Sequence, residues 1–127
     1  MIHTVLNDLL GIRYPVLQGG MAWIADGKLA AAVSEGGGLG IVAAGNAPAE
    51  YVREQIRIAR SLTEKPFGVN IMLMSPCAAE VAKVAAEEKS RWALIGQPQE
   101  AKPPFCSLRM TMNFQRSPVL GFPPKAS

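Results

Sequence analysis

Three short apolar runs, each ending at a glycine or a side-chain amide, constrain this chain more than any other feature of it. Tyr14-Pro15-Val16-Leu17 leads into Gln18-Gly19-Gly20-Met21-Ala22, Leu39-Gly40-Ile41-Val42-Ala43 into Ala44-Gly45-Asn46, and Phe67-Gly68-Val69 into Asn70. The runs end about 25 residues apart, room enough for a helical crossover between parallel strands. The second run is small and apolar throughout, as a strand covered on both faces should be. This is the pattern of successive β/α units whose strand ends share one ligand-binding rim. The expected fold class is therefore α/β.

The segments between the runs read as helices. Thr4–Leu10 is a short helical lead that stops at Gly11 and would cover the open bottom of a barrel. Asp26 is a suitable N-cap, and Leu29, Ala32 and Val33 are spaced for one buried face. Gly36-Gly37-Gly38 ends that helix. Pro48 suits a first helical turn, with Val52, Ile56 and Ala59 inward. Ser75-Pro76 reads as an N-cap and N1 pair for a helix through Glu88, with Val81, Val84 and Ala85 inward.

Near residue 89 the composition changes. Residues 1–88 carry seven Lys/Arg against nine Asp/Glu, a net −2, whereas residues 89–127 carry six against one, a net +5. Six of the ten prolines also fall in those last residues. The basic charge thus belongs to the tail and sits on no organised basic helix, which argues against a nucleic-acid partner. Two segments are expected: residues 1–88, which hold the β/α units, and residues 89–127, an atypical Pro-rich basic tail of irregular structure. Within it, Trp92–Ile95 is a weak strand candidate, and Leu108, Met110, Met112 and Phe114 alternate as a strand would. No apolar run reaches the ~20 residues of a membrane helix, and Met1-Ile2-His3-Thr4 lacks the order of a signal peptide. Cys77 and Cys106 have no metal-like spacing. A reduced, cytoplasmic protein with no metal site and no membrane partner is expected.

Few residues can carry chemistry. Gly36–Gly40 lacks the G-x-G-x-x-G spacing and precedes a strand instead of following one, so it reads as a helix stop and not as a phosphate loop. Gln18-Gly19-Gly20-Met21 follows a strand. It is either a tight turn or a place where backbone approaches a flat ligand, since no Cβ intervenes. Asn70 is either a turn former or a group that donates to and accepts from the edge of a heteroaromatic ring such as flavin. Met72-Leu73-Met74 fills core or lines an acyl channel. His3, the only histidine, gets no role, and neither does Cys77. No catalytic residue can be named.

The run Tyr14–Gly27, together with Gly36–Ile41, Gly45-Asn46-Ala47-Pro48 and Lys65–Pro76, resembles the flavin-dependent enoyl-acyl-carrier-protein reductases. These group with the nitronate monooxygenases (2-nitropropane dioxygenases). The likeness covers about residues 5–88 in register, and residues 45–48 and 70–76 lean toward the reductases. It implies the N-terminal three β/α units of a TIM-type barrel. FMN would be the cofactor, and NADH or NADPH would reduce an enoyl group linked to acyl-carrier protein. Carried over, Gln18, Gly19, Gly20, Met21 and Ala22 lie along the flavin ring and Asn70 touches its polar edge.

The family continues with five more β/α units, a catalytic histidine and the loops holding the FMN phosphate. A truncated form without activity of its own is therefore expected, with self-association through open sheet edges. Two alternatives stand beside the reductase: a nitronate monooxygenase, and a non-catalytic fragment acting only by association.

Overall fold

The computed structural model describes residues 2–96 and 109–112. Its elements run α1 (Val5–Leu10), α2 (Gly27–Glu35), β1 (Gly40–Ala43), α3 (Ala49–Leu62), β2 (Phe67–Met72), α4 (Ala78–Glu87), β3 (Trp92–Gly96) and β4 (Arg109–Met112). The sheet order is β1-β2-β3-β4. β1, β2 and β3 are mutually parallel, and β4 pairs antiparallel with β3. This is an α/β fold whose helices cross between neighbouring parallel strands, as the spacing of the apolar runs requires.

Alternation along the strands gives the sheet two faces. Val42, Val69, Ile71 and Ala93 turn toward the helices. There they pack with Val52, Ile56 and Ala59 of α3 and Val81 and Val84 of α4. On the other face Ile41 pairs with Gly68, and Gly68 with Trp92. Ile41, Trp92 and Leu39 there join Leu10 and Ile12 in a second cluster. The lead helix does cover this inner face. Asn7 makes that possible: its side chain closes a capping box with Thr4 and donates to the carbonyls of Ile12 and Arg13. Gly11, at φ 70°, then turns the chain onto the sheet.

Four sequence expectations need correction. The first predicted strand, Tyr14–Gln18, shrinks to a single parallel bridge, Leu17 to Leu39. Pro15 has no N–H to give, and Arg13 N and Tyr14 N both donate to the Gly37 carbonyl, so pairing with the next run starts only at Val16.

The buried face of α2 is Gly27, Ala30, Ala31 and Ser34, not Leu29, Ala32 and Val33. Close approach decides this. A Cβ on Gly27 would stand 2.3 Å from the Gln55 carbonyl oxygen. One on Gly40 would stand 1.8 Å from that of Ala30. Only the face with the smallest residues can come so near its neighbours.

The helix α4 starts at Ala78, with Cys77 as its cap, and not at Pro76. Ser75 instead closes a turn, its Oγ accepting from Cys77 N at 3.2 Å.

Finally, the change of composition at residue 89 does not end the sheet. Trp92–Gly96 joins β2 along its whole length, and Arg109–Met112 pairs beyond it. The irregular tail expected over 97–108 and 113–127 lies outside the described residues.

Candidate functional site

The site forms at the carboxyl ends of the Leu17 bridge segment, β1 and β2. Asn70 stands opposite Ala43 on β1 and Leu94 on β3. Strand alternation puts it on the inner face with Ile41 and Trp92, two residues above their row. It is half-buried. Gly20 comes down on it: a Cβ built there would lie 3.0 Å from Asn70 Cγ and 3.3 Å from Nδ2. Gly20 therefore packs closely against the Asn70 side chain. Gly19 has nothing within 4 Å of its Cβ direction, and both glycines are exposed. A flat surface of backbone lies open beside a side chain that can donate and accept.

Gln18 sits at the same rim, but its carboxamide is directed elsewhere. Its Oε1 accepts from Ile41 N at 3.2 Å, and its Nε2 donates to Ile41 O at 3.2 Å. The residue was predicted to lie along a ligand; the structure spends its side chain on β1.

Met21 opens a turn in which Ile24 N and Ala25 N both donate to its carbonyl. That turn is tied to the top of β1, where Ala43 N donates to Ala25 O at 2.9 Å. Ala22 lies against Gly45, whose Cβ would meet Ala22 Cβ at 3.0 Å. The rim thus gathers Gly19, Gly20, Met21, Ala22, Gly45 and Asn70 from three successive strand ends.

Two residues of this rim had no clear signal in the sequence. Trp23 holds a left-handed φ of 66°, uncommon for a bulky residue. Its ring sits 5.6 Å from that of Tyr51 at the start of α3. A positive φ on tryptophan cannot be read from composition, and the Trp23–Tyr51 pair links residues far apart in the chain. Gly45, at φ 53°, was legible only as a glycine after a strand.

None of the rim residues is ionisable. Among the described residues no group of three or more His, Cys, Asp or Glu is placed to hold a metal. The site offers backbone, one amide and apolar surface, with Met21 42% exposed, Trp23 66% and Met74 66%. Such a surface suits a neutral, flat, conjugated ring with hydrogen-bonding edges. It supplies no acid, base or nucleophile of its own. Redox chemistry there has to come from what is bound.

The charged groups cluster on the helical side instead. Glu88, at the end of α4, receives Arg53 Nη1 at 2.8 Å and Arg57 Nη2 at 2.9 Å, and Arg60 Nη2 donates to its backbone carbonyl. Arg57 and then Arg53 hold the Glu88 carboxyl below the usual carboxylate range, against an opposing effect of burial. Glu87 and then Glu88 raise Arg53 further above its already high value.

A family model described as nitronate monooxygenase matches residues 3–115. A nitronate monooxygenase of Pseudomonas aeruginosa is 38% identical over 115 residues, 88% of this chain and 32% of that protein. A (3aS,4S,5R,7aS)-5-hydroxy-7a-methyl-1-oxo-octahydro-1H-indene-4-carboxyl-CoA dehydrogenase of Mycobacterium tuberculosis is 36% identical over 92 residues, 72% of this chain and 26% of that protein. Among solved structures, FabK from Thermotoga maritima superposes with a TM-score of 0.74 at 47% identity, covering 77% of this chain and 32% of FabK. Nitroalkane oxidase from Streptomyces ansochromogenes gives 0.51 at 38%, covering 67% and 24%. The chain therefore spans between about a quarter and a third of the length of these relatives.

Proposed function

Since the chain belongs to the nitronate monooxygenase family of flavin-dependent oxidoreductases, and corresponds to the N-terminal part of their barrel, we propose that its rim holds the ring of FMN. The observation that carries this is the seating of Gly20 on the Asn70 amide, with exposed glycine backbone beside it. Gly19 and Gly20 let the ring approach without a Cβ, Asn70 addresses its polar edge, and Met21 and Ala22 give it an apolar border. The bound flavin supplies the electron transfer. These residues orient it and shield one part of it from water.

Within the family, the enoyl-acyl-carrier-protein reductase reading is the one we favour, with NADH or NADPH as reductant. It is supported by Gly45-Asn46-Ala47-Pro48 and Asn70–Pro76, the segments similar to those reductases. A nitronate monooxygenase is the second reading, and its name is carried by the matching family model. In a protein that contains this segment and turns over, NADH oxidation stimulated by an enoyl thioester supports the first. Oxygen uptake driven by a nitronate supports the second.

For the 127-residue chain by itself we propose ring binding without turnover, because it spans about a third of FabK and the barrel phosphate site arises from the last strands. Titrating FMN and riboflavin into the chain tests this. The expected result is a shifted flavin absorbance band for both, with dissociation constants within about threefold of each other, a difference under 1 kcal/mol. An unperturbed flavin spectrum at saturating protein overturns it.

A further inference from the structure

Rungs of a parallel ladder are evenly spaced and alternate in sense. Beside β1 they begin regularly: Leu39 N donates to Val16 O at 2.8 Å, and Gln18 N donates to Leu39 O at 3.0 Å. Regular continuation would have Ile41 N donate to the Gln18 carbonyl, and Gly20 N donate to the Ile41 carbonyl. Neither rung is made that way. Ile41 N finds Gln18 Oε1, and Ile41 O receives Gln18 Nε2, both at 3.2 Å. A primary carboxamide carries the same donor and acceptor as a peptide group, so the side chain fills both rungs.

The main chain is thereby released from the strand one residue early. It goes to Asn70, on the far side of β1, where Gly20 rests. Glycine at 20 permits that close approach, and the carboxamide removes its cost, since Ile41 would otherwise hold two unmet backbone groups.

We propose that Gln18 is a positioning residue: its carboxamide replaces a peptide group at the end of the edge strand and so lets Gly20 cross the sheet onto Asn70. The purpose of that placement rests on the ring site proposed above, but the placement itself does not depend on a flavin. Glutamine is the residue that fits. Asparagine is one methylene short, leucine is as short and lacks the polar pair, and an ionised glutamate sets an oxygen against the Ile41 carbonyl.

Isotope-labelled full-length chain, followed by NMR, tests this. In the parent chain the Gln18 side-chain N–H protons are expected to exchange slowly, with a Gly20–Asn70 nuclear Overhauser contact. In Gln18→Leu that contact is expected to vanish and the riboflavin dissociation constant to rise about tenfold, roughly one net hydrogen bond. In Gln18→Glu the contact is expected to be absent at pH 7 and to return as the new carboxyl takes up its proton, because the acid form regains a donor for Ile41 O. The parent chain at the same acid pH is the control. A merely space-filling role would show no such return.

Persistence of the contact in Gln18→Leu overturns the proposal, as does a contact in Gln18→Glu that does not change with pH. Should Gln18→Leu fail to fold, the pH series on Gln18→Glu decides alone. A parent chain that binds no riboflavin yet shows these contact changes removes the flavin reading and leaves the positioning role intact.

Discussion

Gly40 and Gly20 both face their neighbours at close range, and the neighbours differ in kind. Gly40 meets backbone: a Cβ there would stand 1.8 Å from the Ala30 carbonyl oxygen, and no rotamer relieves that. Gly40→Ala must push α2 off β1, and a loss of about 3 kcal/mol in urea unfolding is expected, the upper end for overpacking. Gly20 meets a side chain, Asn70, with a Cβ there 3.0 Å from Cγ and 3.1 Å from Cβ. There Gly20→Ala is expected to part the glycine from Asn70, to cost about 1 kcal/mol of stability, the lower end for overpacking, and to weaken riboflavin binding about tenfold. Unchanged riboflavin binding in Gly20→Ala would contradict the site. Asn70→Ala removes the amide without adding bulk. Loss of riboflavin binding with an unchanged unfolding midpoint is the outcome that fits.

At the scale of elements, α3 and the end of α4 are joined chiefly through Glu88. Arg53 and Arg57 reach its carboxylate and Arg60 its carbonyl, so the carboxyl end of α4 is gripped across two turns of α3. Glu87 and Glu50 share Arg53, which keeps the charge of the cluster near balance. The Glu88 side chain is only 10% exposed, so removing it leaves guanidinium groups turned toward a partner that is gone. Its pKa is depressed in the folded chain, chiefly by Arg57. The folded state therefore binds that proton less readily than the unfolded state. The stability it contributes is fully present above the unfolded carboxylate value of about 4.3 and is lost as pH falls through the lower folded value. Glu88→Gln is thus expected to lower the urea midpoint at pH 7, with the gap closing as the parent is acidified. A gap that stays constant down to pH 2 would show that Glu88 acts through packing alone.

Across the whole molecule, the parallel strands have unequal edges. Among the described residues, the edge of β1 away from β2 is met by the Leu17 bridge, the Gln18 carboxamide and the Ala25 carbonyl, and by no full strand. Met21, Trp23, Ile24, Leu73 and Met74 are exposed at the strand ends and loops. Unpaired edges and exposed apolar side chains both favour association. We expect sedimentation velocity to show a mass that rises with concentration above the 13.5 kDa of one chain. A single species of that mass at every concentration would count against it. No described helix is long and apolar enough to cross a membrane.

From sequence alone came the β/α order, the inward faces of α3 and α4, the sheet positions of Ile41, Val42 and Val69, and the rim on which Gly20 and Asn70 meet. Each depends on periodicity or on local turn chemistry, which neighbours along the chain suffice to set. Other features were decided only by the folded arrangement. The face of α2 follows from how close β1 and α3 come, and the first strand is shortened by competition for the Gly37 carbonyl. Trp92–Ile95, a weak strand candidate in the sequence, was made a strand by the free ladder that β2 offers beside it. The role of Gln18 belongs to this second group: the family likeness set it along the flavin ring, but the N–H and C=O of Ile41, twenty-three residues away, hold its carboxamide. Backbone groups must be paired wherever they are buried, and which side chain does the pairing is fixed by distance in space, not along the chain.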